Sequence, residues 1–140
     1  MISKKINSED KTLQALATSL NFRKLRQDVI ASNIANADTP GYKARRIEFE
    51  EALARALDLE KQRSLRVNDK KHFNVGGGGF NEVEPSVFDD PNGIVNESGN
   101  TVNRDQEMAL MAKNKILFDA SVQLLNKKLG LLKYAITSDR

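Results

Sequence analysis

The 140-residue sequence predicts a mainly α fold. Long N- and C-terminal helices pack as an antiparallel coiled-coil-like pair, with a short middle helix and an irregular, partly extended loop insertion between them. Three observations predict this. Apolar residues recur at spacings of three and four over both ends of the chain. The middle is polar and broken by Gly and Pro. The composition, 39% hydrophobic and 6% aromatic with no Trp, is lean for a compact core but ordinary for long helices packed on each other. At this length the chain is a single elongated unit, residues 1–140.

The N-terminal helix is expected over residues 8–37. Asn7 or Ser8 can cap its start, and Glu9 and Asp10 suit its positive end. Leu13, Leu16 and Leu20 share one face. Phe22, Leu25 and Val29 follow on a slightly rotated one, then Ile30 and Ile34. The shift near Leu20 marks a bend or a change of partner. No Gly or Pro interrupts, which allows a helix about 40 Å long.

Residues 38–47 form a turn motif within the run "SNIANADTPGYKARRIEFEEAL". Thr39 precedes Pro40, so it is pushed out of the α region and the helix must have stopped. Pro40 and Gly41 suit the middle of a type II turn, with Gly supplying the positive φ. Asn36 and Asp38 can satisfy backbone groups freed at the helix end. A helix stop alone explains neither Asn33 nor the pair Tyr42-Lys43.

Residues 48–62 have helical composition, with Phe49, Leu53 and Leu57 four apart. From 63 to 101 the chain is flexible or irregular: four glycines at Gly76–Gly79, Pro85, then Asp89-Asp90-Pro91-Asn92-Gly93. Val67, Phe73, Val75, Phe80, Val83, Val87 and Phe88 lie there without a helical period. The segment reads as a loop, or as a short extended piece that orders against its neighbours.

The C-terminal helix, residues 103–137, gives the clearest signal. Asn103 and Gln106 read as a capping box. Met108, Met111, Phe118, Val122, Leu125, Leu129, Leu132 and Ile136 form a sustained heptad seam with one polar break, Lys115. Leu110, Leu117, Leu124 and Leu131 form a second seam on a neighbouring face. A helix that only closed a hairpin would need one seam, so the second predicts self-association or a partner.

Several function classes lose support. No cysteine is present, which removes disulfides, thiol catalysis and Cys-ligated zinc. The net charge of +3 makes no nucleic-acid case, and no apolar run approaches the roughly 18 residues of a membrane span. The N-terminus has no hydrophobic segment after its basic start, so it is not a secretory signal peptide. His72 is the one histidine, and it makes a poor catalyst or metal site alone. Gly76–Gly79 lack the Lys-Ser/Thr ending of a phosphate loop and read as a linker. Asp89, Asp90, Asn92 and Gly93 miss calcium-loop spacing and read as a turn. Lys43, Arg45 and Arg46 are followed at once by Glu48, Glu50 and Glu51, which favours a solvated face or subunit salt bridges over a DNA surface. No catalytic, cofactor-binding or metal residue is assigned, and no small-molecule substrate or nucleic acid is expected.

The run Ser32 to Lys43, with Asn33, Asn36, Asp38, Thr39, Pro40, Gly41, Tyr42 and Lys43, closely resembles the N-terminal signature of the bacterial flagellar rod and hook protein family. "ARRIEF" (44–49), "GNTVNRDQEM" (99–108) and "VQLLNKKLGLLKYAI" (122–136) resemble its small proximal rod members in particular. The likeness covers both terminal regions, roughly residues 13–53 and 99–136. Ser32 stands where many relatives carry a first Asn.

The resemblance implies a structural subunit of the proximal rod, exported unfolded through the flagellar type III apparatus without a cleavable signal. It would lie in the basal body, within the periplasm. Implied partners are other rod proteins, the rod–MS-ring junction protein, the MS ring, and copies of itself in the helical rod. The eight motif residues would form an assembly corner that docks on adjacent subunits. One seam of the C-terminal helix would serve its own N-terminal helix and the other its neighbours. A second small proximal rod member, and a cytoplasmic coiled-coil adaptor or export chaperone, are the alternatives.

Overall fold

The computed structural model describes the backbone of residues 2–65, 80 and 83–138, and the side chains of 11–57, 80 and 83–137. In chain order the elements are α1 (Ile2–Ala35), β1 (Arg45–Glu48), α2 (Glu50–Leu65), β2 (Ser86–Asp89) and α3 (Arg104–Ser138). His72, Gly76–Gly79, Val67, Phe73 and Val75 lie outside the described residues.

The two long helices pack antiparallel, as expected. Asn33 near the end of α1 bonds Glu107 near the start of α3, while Asn114 bonds Arg23 and Gln27 one to three turns back along α1. The helices have 34 and 35 residues, so each is about 50 Å long. The start of α1 differs from expectation. Asn7 and Ser8 lie inside the helix, which begins at Ile2. A cap is a preference of about 1 kcal/mol, and nothing in Ser3–Ile6 prevents helix from running through it. At the other end, Asn36 closes the last turn with bonds to the Ser32 and Asn33 carbonyls, 3.1 and 3.2 Å.

The stretch expected to be turn as far as residue 47 is turn only to Gly41. Arg45–Glu48 is a strand, paired antiparallel with Ser86–Asp89 in the register Arg45–Asp89, Arg46–Phe88, Ile47–Val87 and Glu48–Ser86. Ile47 is the one buried residue of Arg45–Glu48, and four residues with no period-two pattern do not stand out in sequence. Val87 and Phe88 therefore belong to the extended piece that orders against neighbours.

The middle helix starts at Glu50 and reaches Leu65. It folds back along α1: the Phe22 and Phe49 rings meet at 5.2 Å, and Ala15, Ala56 and Phe80 form a small buried cluster with Leu53 and Val83 against it. The remaining buried apolar residues, Ile30, Ala44, Ile47 and Phe49, sit where α1 meets β1.

On α3, the face that carries Glu107 and Asn114 meets α1. Met111, Phe118, Val122, Leu125 and Leu132 of the first seam are half-buried along it, whereas Met108, Leu129 and Ile136 are exposed. The polar break in that interface is Asn114. Lys115 points outward and pairs with Asp119 at 3.7 Å. In the second seam Leu110 is half-buried, but Leu117, Leu124 and Leu131 are exposed. On α1, Leu25 is turned out of the expected stripe.

Candidate assembly site

The sequence after α1 dictates a corner. Thr39-Pro40-Gly41-Tyr42 is a β-turn: the Tyr42 N–H donates to the Thr39 carbonyl at 3.3 Å, and Gly41 has φ +73°. Nothing lies within 4 Å of a Cβ built there, so glycine is required for backbone conformation and not for space. A second chain segment, just before α3, meets this turn. Gly99 also has positive φ, +80°, and the Gly41 N–H donates to the Ser98 carbonyl at 2.9 Å.

Asn100 is the staple. Its Nδ2 lies 2.9, 3.1 and 2.8 Å from the carbonyls of Asn36, Ala37 and Thr39. Its Oδ1 accepts from the Val102 N–H at 2.7 Å. These carbonyls belong to the turn that follows α1, where those of Asn36 and Thr39 also accept from the Thr39 and Tyr42 N–H groups. The strand that follows is held the same way: Thr101 N–H donates to the Tyr42 carbonyl, and Thr101 Oγ1 accepts from the Ala44 N–H at 2.8 Å.

Asn33 has the role that a helix stop did not explain. Its side-chain amide acts as a strand partner for Arg45, accepting from the Arg45 N–H and donating to the Arg45 carbonyl, both at 2.9 Å. The same Nδ2 donates to Glu107 Oε2 at 3.0 Å. Asn33 and Glu107 are both fully buried. Arg46 neutralises the carboxylate, with Nη1 2.6 Å from Glu107 Oε1 and Nη2 2.8 Å from Asp90 Oδ2. A buried carboxylate demands such a partner. Asp90 also holds its own turn, accepting from the Asn92 N–H at 2.9 Å. This is the turn that the sequence implied for Asp89–Gly93.

The eight motif residues divide into two groups. Asn33, Asn36 and Tyr42 face the chain itself: Asn36 Nδ2 donates to the Ser32 carbonyl at 2.8 Å, and the Tyr42 hydroxyl donates to Asn33 Oδ1 at 3.3 Å. Asp38, Thr39, Pro40, Gly41 and Lys43 are exposed, although Asp38 pairs with Arg104 and Lys43 Nζ donates to the Gly99 carbonyl at 3.2 Å. The basic run is thus used inside the chain at Arg46 and Lys43. The seam residues of α3 do not converge on the corner. They run away from it along the helix.

A second node lies beside the corner. Arg26 grips Glu50 through Nη1 and Nη2 at 2.5 and 2.8 Å and donates to the Ile47 carbonyl. Its guanidinium lies 4.5 Å from the centre of the Phe49 ring. The Arg26 hydrogen bonds, against an opposing effect of burial, hold the Glu50 carboxyl at a pKa of about 2. Arg23 stacks more loosely on the same ring, at 5.7 Å, and burial pushes its guanidinium below the usual arginine range.

Sequence reasoning did not find Asn100, Thr101, Glu107 or the Arg26–Glu50 pair. The one local signal was Gly99 before Asn100, a turn residue beside a residue prone to bond backbone.

Residues 13–43, from α1 through the turn, match the family described as flagella basal body rod protein. The FlgB of Bacillus subtilis is 32% identical over 130 residues, 92% of this chain and 95% of that protein. That of Aeromonas hydrophila is 35% identical over 133 residues, 90% and 93%.

The chain belongs to the family of flagellar basal body rod proteins named FlgB.

Similarity extends to the FlgB of Escherichia coli, 32% identical over 123 residues, 84% of this chain and 86% of that one. Membership in this structural family, which is not an enzyme family, is consistent with how the corner is built. Its polar groups are consumed by one another's hydrogen bonds, which orders the backbone.

Proposed function

We propose that this chain is a structural subunit of the proximal rod, polymerising with other axial proteins into the shaft between the membrane ring and the distal rod and hook. The observation that carries the reading is the exposed second seam of α3. Leu124 and Leu131 are 57% and 60% exposed on a helix whose other face already has its partner. A self-contained protein has no use for such a stripe, whereas heterologous contacts that do not close generate a helical array. The exposed part of the corner, Asp38 to Gly41 with Lys43, supplies a second docking surface. Its inward half holds the shape.

The partners on this reading are copies of the chain itself, other rod proteins, the rod–MS-ring junction protein, the MS ring and the type III export apparatus. The site is the rod within the periplasm. The matching relatives carry the name FlgB, which favours that member over the related proximal rod protein FlgC. The Thr-Pro-Gly-Tyr corner argues against a cytoplasmic adaptor or export chaperone, which would need only the seam.

Electron microscopy of basal bodies from a strain lacking the gene tests the reading. Membrane rings bearing no rod, hook or filament are the expected result. An intact rod overturns it.

A further inference from the structure

Away from the corner, one polar layer crosses the α1/α3 interface. On α1 the heptad rows Leu13–Leu20–Gln27–Ile34 and Leu16–Arg23–Ile30 are each apolar except at one place. Those two exceptions, Gln27 and Arg23, lie opposite Asn114 of α3. Asn114 Nδ2 donates to the Arg23 carbonyl at 2.8 Å and to Gln27 Oε1 at 2.9 Å. Asn114 is 4% exposed. It sits between Met111 and Phe118, where an apolar residue would continue the inward seam.

Stability does not account for an asparagine there. Its Oδ1 is buried without a hydrogen-bond partner among the described residues, and an unpaired buried acceptor is costly. What the amide supplies is position. Sliding α3 by one heptad along α1 replaces Arg23 and Gln27 with Leu16 and Leu20 in one direction, and with Ile30 and Ile34 in the other. Neither pair has a side-chain acceptor, so the bond to Gln27 has no replacement. The other polar layer does not exclude the first slide. Glu107, moved from Asn33, there meets Arg26, a residue that already grips the Glu50 carboxylate. The second slide carries Glu107 past the end of α1.

We propose that Asn114 is a register lock. It admits one stagger of α3 against α1 and excludes the one-heptad slide that the apolar rows and Glu107 accept. A buried asparagine in an apolar helix seam fixes alignment at a cost in stability. Within one chain the closed corner holds the same stagger. Asn114 therefore acts where the corner does not: before the corner closes, and when α3 meets the α1 of another copy. The lock does not depend on the rod-subunit reading.

The test is cross-linking in the full chain, whose sequence has no cysteine, so introduced pairs are read cleanly. Ser19 and Ser121 are equally far along their helices from the Asn33–Glu107 contact. Cysteines at 19 and 121, joined by a short bismaleimide, report the native stagger. Cysteines at 12 and 121 report the slid one. With the corner loosened by Asn100→Ala, adding Asn114→Leu should raise the 12–121 product about fivefold, the weight of one buried hydrogen bond. Moving the acceptor instead, with Gln27→Leu and Leu20→Gln, should favour the same product while Asn114 is kept. Asn114→Leu by itself should leave the urea midpoint unchanged or raise it. Native product alone in both altered chains overturns the proposal. So does a lower midpoint for Asn114→Leu, which decides the matter if the multiply altered chains fail to fold.

Discussion

At the corner end of the α1/α3 pair, Asn33, Asn100, Thr101 and Glu107 are buried polar residues. At the other end, Leu124, Leu131, Tyr134 and Ile136 are large apolar residues open to solvent. The first end has its polar side chains inside and every hydrogen bond supplied within the chain. Among the described residues, no buried side-chain nitrogen or oxygen of the corner lacks a partner. The second end has its apolar side chains outside, and none of the described residues covers them. The contrast separates two jobs. Hydrogen bonds are directional, so a saturated polar corner fixes one geometry for the chain's path. Apolar contact is non-directional and scales with area, which suits a surface that adds its energy when neighbours arrive.

The contrast would be broken most severely at its polar end. Glu107→Ala strips Arg46 and Asn33 of a shared partner and should cost about 3–5 kcal/mol, read as a fall in the urea midpoint of the purified chain. An unchanged midpoint would mean that the buried ion pair does not hold the corner. Asn100→Ala removes the amide that bridges the carbonyls of Asn36, Ala37 and Thr39, and leaves that of Ala37 without its donor while those of Asn36 and Thr39 keep the Thr39 and Tyr42 N–H groups. A loss of about 2–3 kcal/mol is expected, again by urea unfolding.

Gly41→Val tests shape without removing any bond. The positive φ makes it cost about 1–2 kcal/mol, and it should block rod assembly more than it lowers monomer solubility. Normal swarming of that strain would sever the corner from assembly.

Smaller still is the Arg26–Glu50 pair. The Glu50 pKa is depressed in the folded chain to about 2 from 4.5. Its contribution is therefore present above the unfolded value and lost as pH falls from about 4.5 toward 2. The side chain is 54% exposed, so after allowance for solvent screening it is worth only about 1 kcal/mol. The difference in melting temperature between the native chain and Glu50→Gln should be constant from pH 7 to 5 and vanish near pH 2.

At the apolar end the monomer should hardly notice. Leu124→Ser with Leu131→Ser is expected to shift unfolding by under about 0.5 kcal/mol per site while abolishing rods in micrographs. Large destabilisation of the monomer would mean that the seam is used inside the chain and would erase the comparison.

The helices were legible in the sequence because their signals are local and repeated. The seam from Met111 to Leu132 repeats often enough to be read although Met108, Leu129 and Ile136 are exposed. The Asn103 cap, which accepts from the Gln106 N–H at 3.1 Å, and the Pro40-Gly41 turn are each settled within four residues. The start of α1 was not legible, because helix propensity through Ser3–Ile6 outweighs a good cap at Ser8.

By itself the sequence determined an antiparallel pair of long helices, the place where the first must end, and a second apolar stripe left without a partner. Periodicity and backbone sterics act over a few residues and leave marks in the order of the chain. Only the tertiary structure decided that Asn33 pairs with Arg45, that Asn100 closes the end of α1 from 64 residues away, and that Glu107 is buried with Arg46. Hydrogen bonds between segments distant in sequence follow from where packing brings them. A single Asn or Glu on a helix looks the same in sequence whether solvent or a buried partner awaits it.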